Sequence, residues 1–124
     1  MPYQRFEAWK PCHALAVATY RVTQSFPKSE LYGMTSQMRR AAFSAAANIA
    51  EGVAKRGRLE LRRYLDIALG SLSELSYAIL LARELGLLTL EGWQELDNLR
   101  ARAGKVTWGL YRAVAGRSRT TATT

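Results

Sequence analysis

Leu61, Leu65, Ala68, Leu72, Leu75, Ile79 and Ala82 recur at spacings of four and three, which places them on one stripe of a helix. Leu96, Leu99, Ala103, Val106, Leu110 and Val114 repeat the pattern further along. Upstream, Met34, Met38, Ala41, Ala45 and Ile49 make a narrower stripe of mostly small side chains. The first helical stretch is less regular. Trp9, Cys12, Ala16, Tyr20 and Thr23 line up, Leu15, Val22 and Phe26 flank them, and Pro11 suits a first helical turn. No stretch sustains the two-residue alternation of a strand between hairpin turns. The periodicity therefore predicts four helices.

Glycine and proline place the breaks between them. Pro27 cannot continue a helix, Tyr32-Gly33 supplies a turn, and Thr35 is expected to cap the second helix through its hydroxyl. Gly57 marks the next break, just after Lys55 and Arg56, where positive charge favours a helix C-terminus. In LGLLTLEG (85–92), Gly86 is a stop and Thr89 a new N-cap. Short connections force consecutive helices to run antiparallel, so the expected fold is all-α, an up-down-up-down four-helix bundle over residues 1–115. The closing GRSRTTATT (116–124) has nothing to pack and reads as a flexible polar tail.

Some apolar positions fall outside these stripes. AILLARELGLL (78–88) is apolar nearly all round, and Ile67, Leu81 and Leu85 stand away from the main stripe of the third helix. Phe43, Ala47, Ala50 and Ala54 form a similar flank on the second. Helices apolar on several sides are usually buried on several sides, and another subunit is the simplest cover; the alternative is cover from the same chain. The second helix also carries a polar line, Gln37, Arg40, Ser44, Asn48, Glu51 and Lys55, within about 80° of arc. Glu74 stands between Ile67 and Leu81, so it is expected to pair with Arg39 or Arg40 across the helix pair, fixing register. A catalytic reading of Glu51 and Glu74 lacks any pocket or proton relay in the sequence, and the structural reading is preferred.

Charge narrows the partners. Eighteen Lys and Arg against ten Asp and Glu give a net charge of +8, which favours anionic partners. Five cations crowd NIAEGVAKRGRLELRR (48–63): Lys55, Arg56, Arg58, Arg62 and Arg63. Four are arginines, whose forked donors suit phosphate oxygens. No interleaved aromatics point to base stacking and no recognition helix points to groove readout, so backbone contact with little sequence discrimination is expected. The bland alternative is a solvated helix end. A single histidine, His13, with Lys10 three residues before it, excludes the Glu-x-x-His motif of di-metal bundles. Cys12 and His13 are adjacent and diverge by about 100° on a helix, which defeats a thiolate–imidazole pair. No metal, cofactor or phosphate loop is expected. The single cysteine, the absence of a signal-peptide pattern and the absence of a long apolar run point to the cytoplasm and away from membranes.

QMRRAAFSAAANIAEGVAKRGRLELRRYLDIALGSLSELSYAILLARELGLL (37–88) resembles the core of the four-helix bundle proteins encoded in intervening sequences of bacterial 23S ribosomal RNA genes, with their chromosomal relatives. Gln37-Met38-Arg39-Arg40-Ala41-Ala42, Asn48-Ile49-Ala50-Glu51-Gly52 and Ile67-Ala68-Leu69-Gly70-Ser71-Leu72 carry the likeness, supported by Trp9, His13, Phe26-Pro27 and Glu30-Leu31-Tyr32-Gly33. The resemblance extends over about residues 6–115. It implies a left-handed antiparallel bundle that assembles as a ring, with five subunits expected. It also marks Arg39, Arg40, Asn48, Glu51 and Glu74 as family polar positions. Two departures stand out: Ala46 replaces a common proline, which should straighten the second helix, and Gly57 replaces a capping serine. A distant relative is the accessory subunit of a reverse transcriptase. The leading expectation is thus a non-enzymatic homopentamer that binds RNA or DNA backbone through a basic rim. The alternative is a scaffold or accessory subunit that binds a protein partner.

Overall fold

Pro11 falls in the first turn of α1 (Trp9–Thr23), where its missing N–H costs nothing. Three more helices follow: α2 (Ser36–Ala54), α3 (Arg58–Glu84) and α4 (Leu90–Thr123). The computed structural model describes the backbone of residues 2–123 and the side chains of residues 2–116, and among the described residues there is no strand. Paired contacts show the direction of each helix. Arg39 near the start of α2 reaches Tyr20 and Thr23 at the end of α1. Gly52 near the end of α2 meets Tyr64 near the start of α3. Arg83 at the end of α3 lies over Trp93 at the start of α4, and Cys12 meets Thr107 where α4 returns beside α1. Neighbours run antiparallel, and α4 closes the bundle against α1. One end of the bundle therefore gathers the start of α1, the α2–α3 turn and the later part of α4.

The turns follow from their residues. Gly57 and Gly86 take positive φ, 90° and 74°, which side chains with a Cβ rarely adopt. Gly86 stops α3 where the spacing predicts, and the Leu87 N–H then bonds back to the Ala82 carbonyl at 2.9 Å. Thr89 caps α4, its hydroxyl oxygen accepting from Gly92 N–H at 3.0 Å. Thr35 does not cap α2. It is buried with helical φ/ψ (−56°, −52°), whereas an N-cap needs extended backbone. A 3-10 turn (Lys28–Glu30) and a wide π-type turn (Leu31–Thr35), kinked at Gly33, run straight into α2. The Glu30 carboxylate takes the capping role by accepting from Met34 N–H at 3.1 Å.

The core matches the α3 stripe closely: Leu65, Ala68, Leu72, Leu75, Ile79 and Ala82 are buried, and Leu61 packs against them. α3 also holds an 18-residue window of mean hydropathy 1.4, so one helix is long and apolar enough to cross a membrane by length and composition. The pattern misjudged α1. Its buried residues are Pro11, Cys12, Leu15, Ala18, Thr19 and Thr23, while Tyr20 is exposed. Thr19 and Thr23 tolerate burial because each hydroxyl donates to the carbonyl four residues back, both at 2.7 Å. Thr107 enters the α4 core similarly, its hydroxyl 3.5 Å from the Cys12 thiol. α2 runs unbroken through Ala46, the position of the family proline. The polar tail expected at 116–124 falls on side chains outside those described, apart from Gly116.

Candidate nucleic-acid interface

The α2–α3 turn brings all five cations to one end of the bundle. Lys55, Arg56, Arg58 and Arg63 are exposed and Arg62 is half-buried. Arg63 pairs with Glu60 at 3.5 Å, one turn away on α3, and the Lys55 ammonium lies 5.7 Å from the Tyr64 ring centroid. The pair is solvated and contributes little; its main effect is to relieve the charge that Arg62 and Arg63 place at a helix N-terminus. Arg56 and Arg58 are exposed beside them. Long cations spaced around a tight turn can follow a phosphate backbone without reading bases.

The family polar positions divide into different environments. Asn48 donates to the Ser44 carbonyl at 2.8 Å and to the Ser44 hydroxyl at 3.0 Å, and that hydroxyl meets the Ser71 hydroxyl at 2.8 Å. Two members of the polar line, Ser44 and Asn48, therefore form a hydrogen-bonded seam with Ser71 between α2 and α3, while Gln37, Arg40, Glu51 and Lys55 are exposed. Arg39 is turned toward α1: its guanidinium donates to Thr23 Oγ1 at 2.9 Å and to the Tyr20 carbonyl at 3.2 Å, 4.8 Å from the Tyr20 ring centroid. The expected Arg–Glu pair does not form. Glu74 is exposed on α3 and has no ion-pair partner among the described residues, because Arg39 faces α1 and Arg40 is itself exposed. Glu51 is exposed on the wall of a different groove. Glycine ends the Asn48–Gly52 motif because a Cβ there would lie 2.7 Å from Tyr64 Cβ, so its absence lets α2 and α3 close up.

Among the described residues, grooves lie along two of the helix pairs. Between α1 and α2, about 790 Å³ is lined by Trp9, Val17, Phe43, Ala47 and Ala50, with His13 stacked on Trp9 at 4.6 Å. Phe43 is 63% exposed and Val17 54%, so the chain does not cover its own flank. Ile67 and Leu85 on α3 are likewise 47% and 58% exposed. Between α3 and α4 a second groove of about 700 Å³ holds Asp66, Gly70, Arg100, Gly104 and Trp108. Trp108 is half exposed and stacked on Tyr111, with ring centroids 5.5 Å apart and planes 15° from parallel. Sequence reasoning missed this groove because more than forty residues separate Asp66 from Trp108. Antiparallel packing sets α4 beside the opening turns of α3.

Residues 4–109 match the profile of the 23S rRNA-intervening sequence protein family. The chain belongs to this family. A solved structure of similar shape is that of a protein with unknown function from the S23 ribosomal protein family of Bacteroides thetaiotaomicron VPI-5482. It superimposes with a TM-score of 0.75 at 21% identity, over 85% of this chain and 98% of that one. At that identity the likeness concerns the fold. No curated protein matches the chain. In this family member Asn48 and Gly52 of the Asn48–Gly52 motif serve the contact between α2 and α3, and the basic turn follows directly after it.

Proposed function

We propose that this family member is a non-enzymatic bundle that assembles as a homo-oligomer, with five copies the expected form, and holds the phosphate backbone of RNA or DNA on its basic end. The observation that carries the reading is the gathering of Lys55, Arg56, Arg58, Arg62 and Arg63 at one end, where Glu60 is the one acidic residue among them. Exposed Phe43, Val17, Ile67 and Leu85 support assembly, since large apolar side chains that the chain leaves uncovered favour a contact face. Assembly in a ring would bring together several chains of net charge +8 and repeat the basic end around one rim, making attraction to a polyanion strong and salt-sensitive. Glu51 and Glu74 lie in separate, solvated surroundings, which favours a binding role over catalysis. The expected compartment is the cytoplasm.

Changing Arg58, Arg62 and Arg63 together to Glu should abolish a gel shift with nucleic acid while leaving oligomer mass unchanged. A shift that survives the reversal, or wild type that gives none at low salt, refutes the reading. The uncovered α1/α2 groove favours one second reading, a scaffold whose apolar surface holds a protein partner while its charge serves solubility. Partners retained after nuclease treatment of a lysate would favour that scaffold.

A further inference from the structure

Trp108 is the exposed aromatic best placed to meet a ligand held by the basic end. Its indole is half exposed and stacks on the ring of Tyr111. Gly70 on α3 and Gly104 on α4 leave the groove before it open, since a Cβ at either would meet nothing within 4 Å. Asp66 and Arg100 put a carboxylate and a guanidinium on the same walls, and Arg100 is already oriented by Asp97 at 2.8 Å. Cations flank the indole: Lys105 stands three residues before it and Arg112 four residues after it on α4, and Arg62 lies one turn before Asp66 on α3.

A planar π face, a slot opened by two glycines, hydrogen-bonding charges of both signs on its walls and a rim of cations together match one ligand chemistry. A nucleobase stacks on an indole, its edge carries donors and acceptors, and its phosphate is anionic. Duplex bases are already stacked on one another, so the groove selects unpaired ones. We infer that the α3/α4 groove is a stacking site for an unpaired base of single-stranded nucleic acid, with Trp108 as its platform. The inference rests on the basic-rim reading and adds base contact to it: the rim tracks the backbone while the groove takes a base.

The test compares labelled single strands, one DNA arm and one RNA arm of the same sequence, with a duplex of equal length at low salt. Trp108→Ala should weaken single-strand binding by about fivefold to a hundredfold, the range for losing one base–aromatic stack. Duplex binding should change less than about twofold, because the phosphate contacts remain. Trp108→Phe should retain most single-strand affinity. Gly104→Leu, which fills the slot and leaves the indole in place, should weaken single-strand binding selectively, and it carries the test if Trp108→Ala misfolds. A loss in either the DNA or the RNA arm supports the site and names the strand. Equal loss for duplex and single strand, or none, overturns the site while leaving the rim reading standing, provided the triple arginine reversal still abolishes binding. A wild type that binds neither form removes both. A changed oligomer mass in Trp108→Ala assigns the indole to a subunit contact and overturns the inference.

Discussion

Gly52→Ala is the substitution for which the structure predicts a sign opposite to ordinary helix propensity. Gly52 is buried in the last turn of α2. An added Cβ would stand 2.7 Å from Tyr64 Cβ and 3.3 Å from Leu61 Cδ1. Tyr64 Cβ is fixed to its own backbone and cannot swing aside, so the helices must separate locally. Overpacking of this kind costs about 1–3 kcal/mol. Replacing a helical glycine by alanine returns about 0.5–1 kcal/mol. The net expectation is a destabilisation of about 1–2 kcal/mol. Gly109→Ala serves as the control: Gly109 is exposed in the interior of α4 with nothing within 4 Å of its Cβ, so there the propensity gain of about 0.5–1 kcal/mol should stand alone. Urea titrations at one fixed protein concentration, with matched slopes, give both values. If Gly52→Ala stabilises as Gly109→Ala does, the close α2–α3 approach is wrong, and so is the explanation of the glycine in the motif.

The charge reversal at Arg58, Arg62 and Arg63 and the Trp108 series test the two parts of the proposed binding surface separately. Cys12 tests the core. Its thiol is fully buried and its pKa is pushed up by that burial, with the Thr107 hydrogen bond pulling weakly the other way. A native thiol that keeps its proton while the unfolded one loses it makes stability fall as pH rises past the free-thiol value, by up to about 2 kcal/mol between pH 7 and pH 10. Cys12→Ala should show a correspondingly smaller decline in parallel denaturation series; equal declines would mean that the thiol ionises as readily folded as unfolded.

How much of this was readable in the chain differs by element. The stripe from Leu65 to Ala82 is legible because one apolar period governs the whole helix, and Gly57 and Gly86 punctuate it where positive φ is needed. α1 is less legible because its core uses Thr19 and Thr23, whose hydroxyls bond to their own helix and so hide their burial from a hydropathy pattern. The cap at Thr35 failed because the wide turn before it made Thr35 helical and passed the role to Glu30. The Glu74 pairing failed because spacing locates a residue on a helix face but does not say which neighbour an arginine on the adjacent helix will choose. The basic cluster is contiguous and was plain from the outset. The aromatic groove joins residues of α3 and α4 that only tertiary packing brings together.

Exposed Phe43, Val17, Ile67 and Leu85 carry the central claim that one chain does not hide its apolar flanks. Light scattering on the purified protein at micromolar concentration tests it most directly. The account predicts a single species at about five times the 13.9 kDa chain mass, with Phe43→Glu shifting it toward smaller species. A stable species of 13.9 kDa, unchanged by Phe43→Glu, would contradict it.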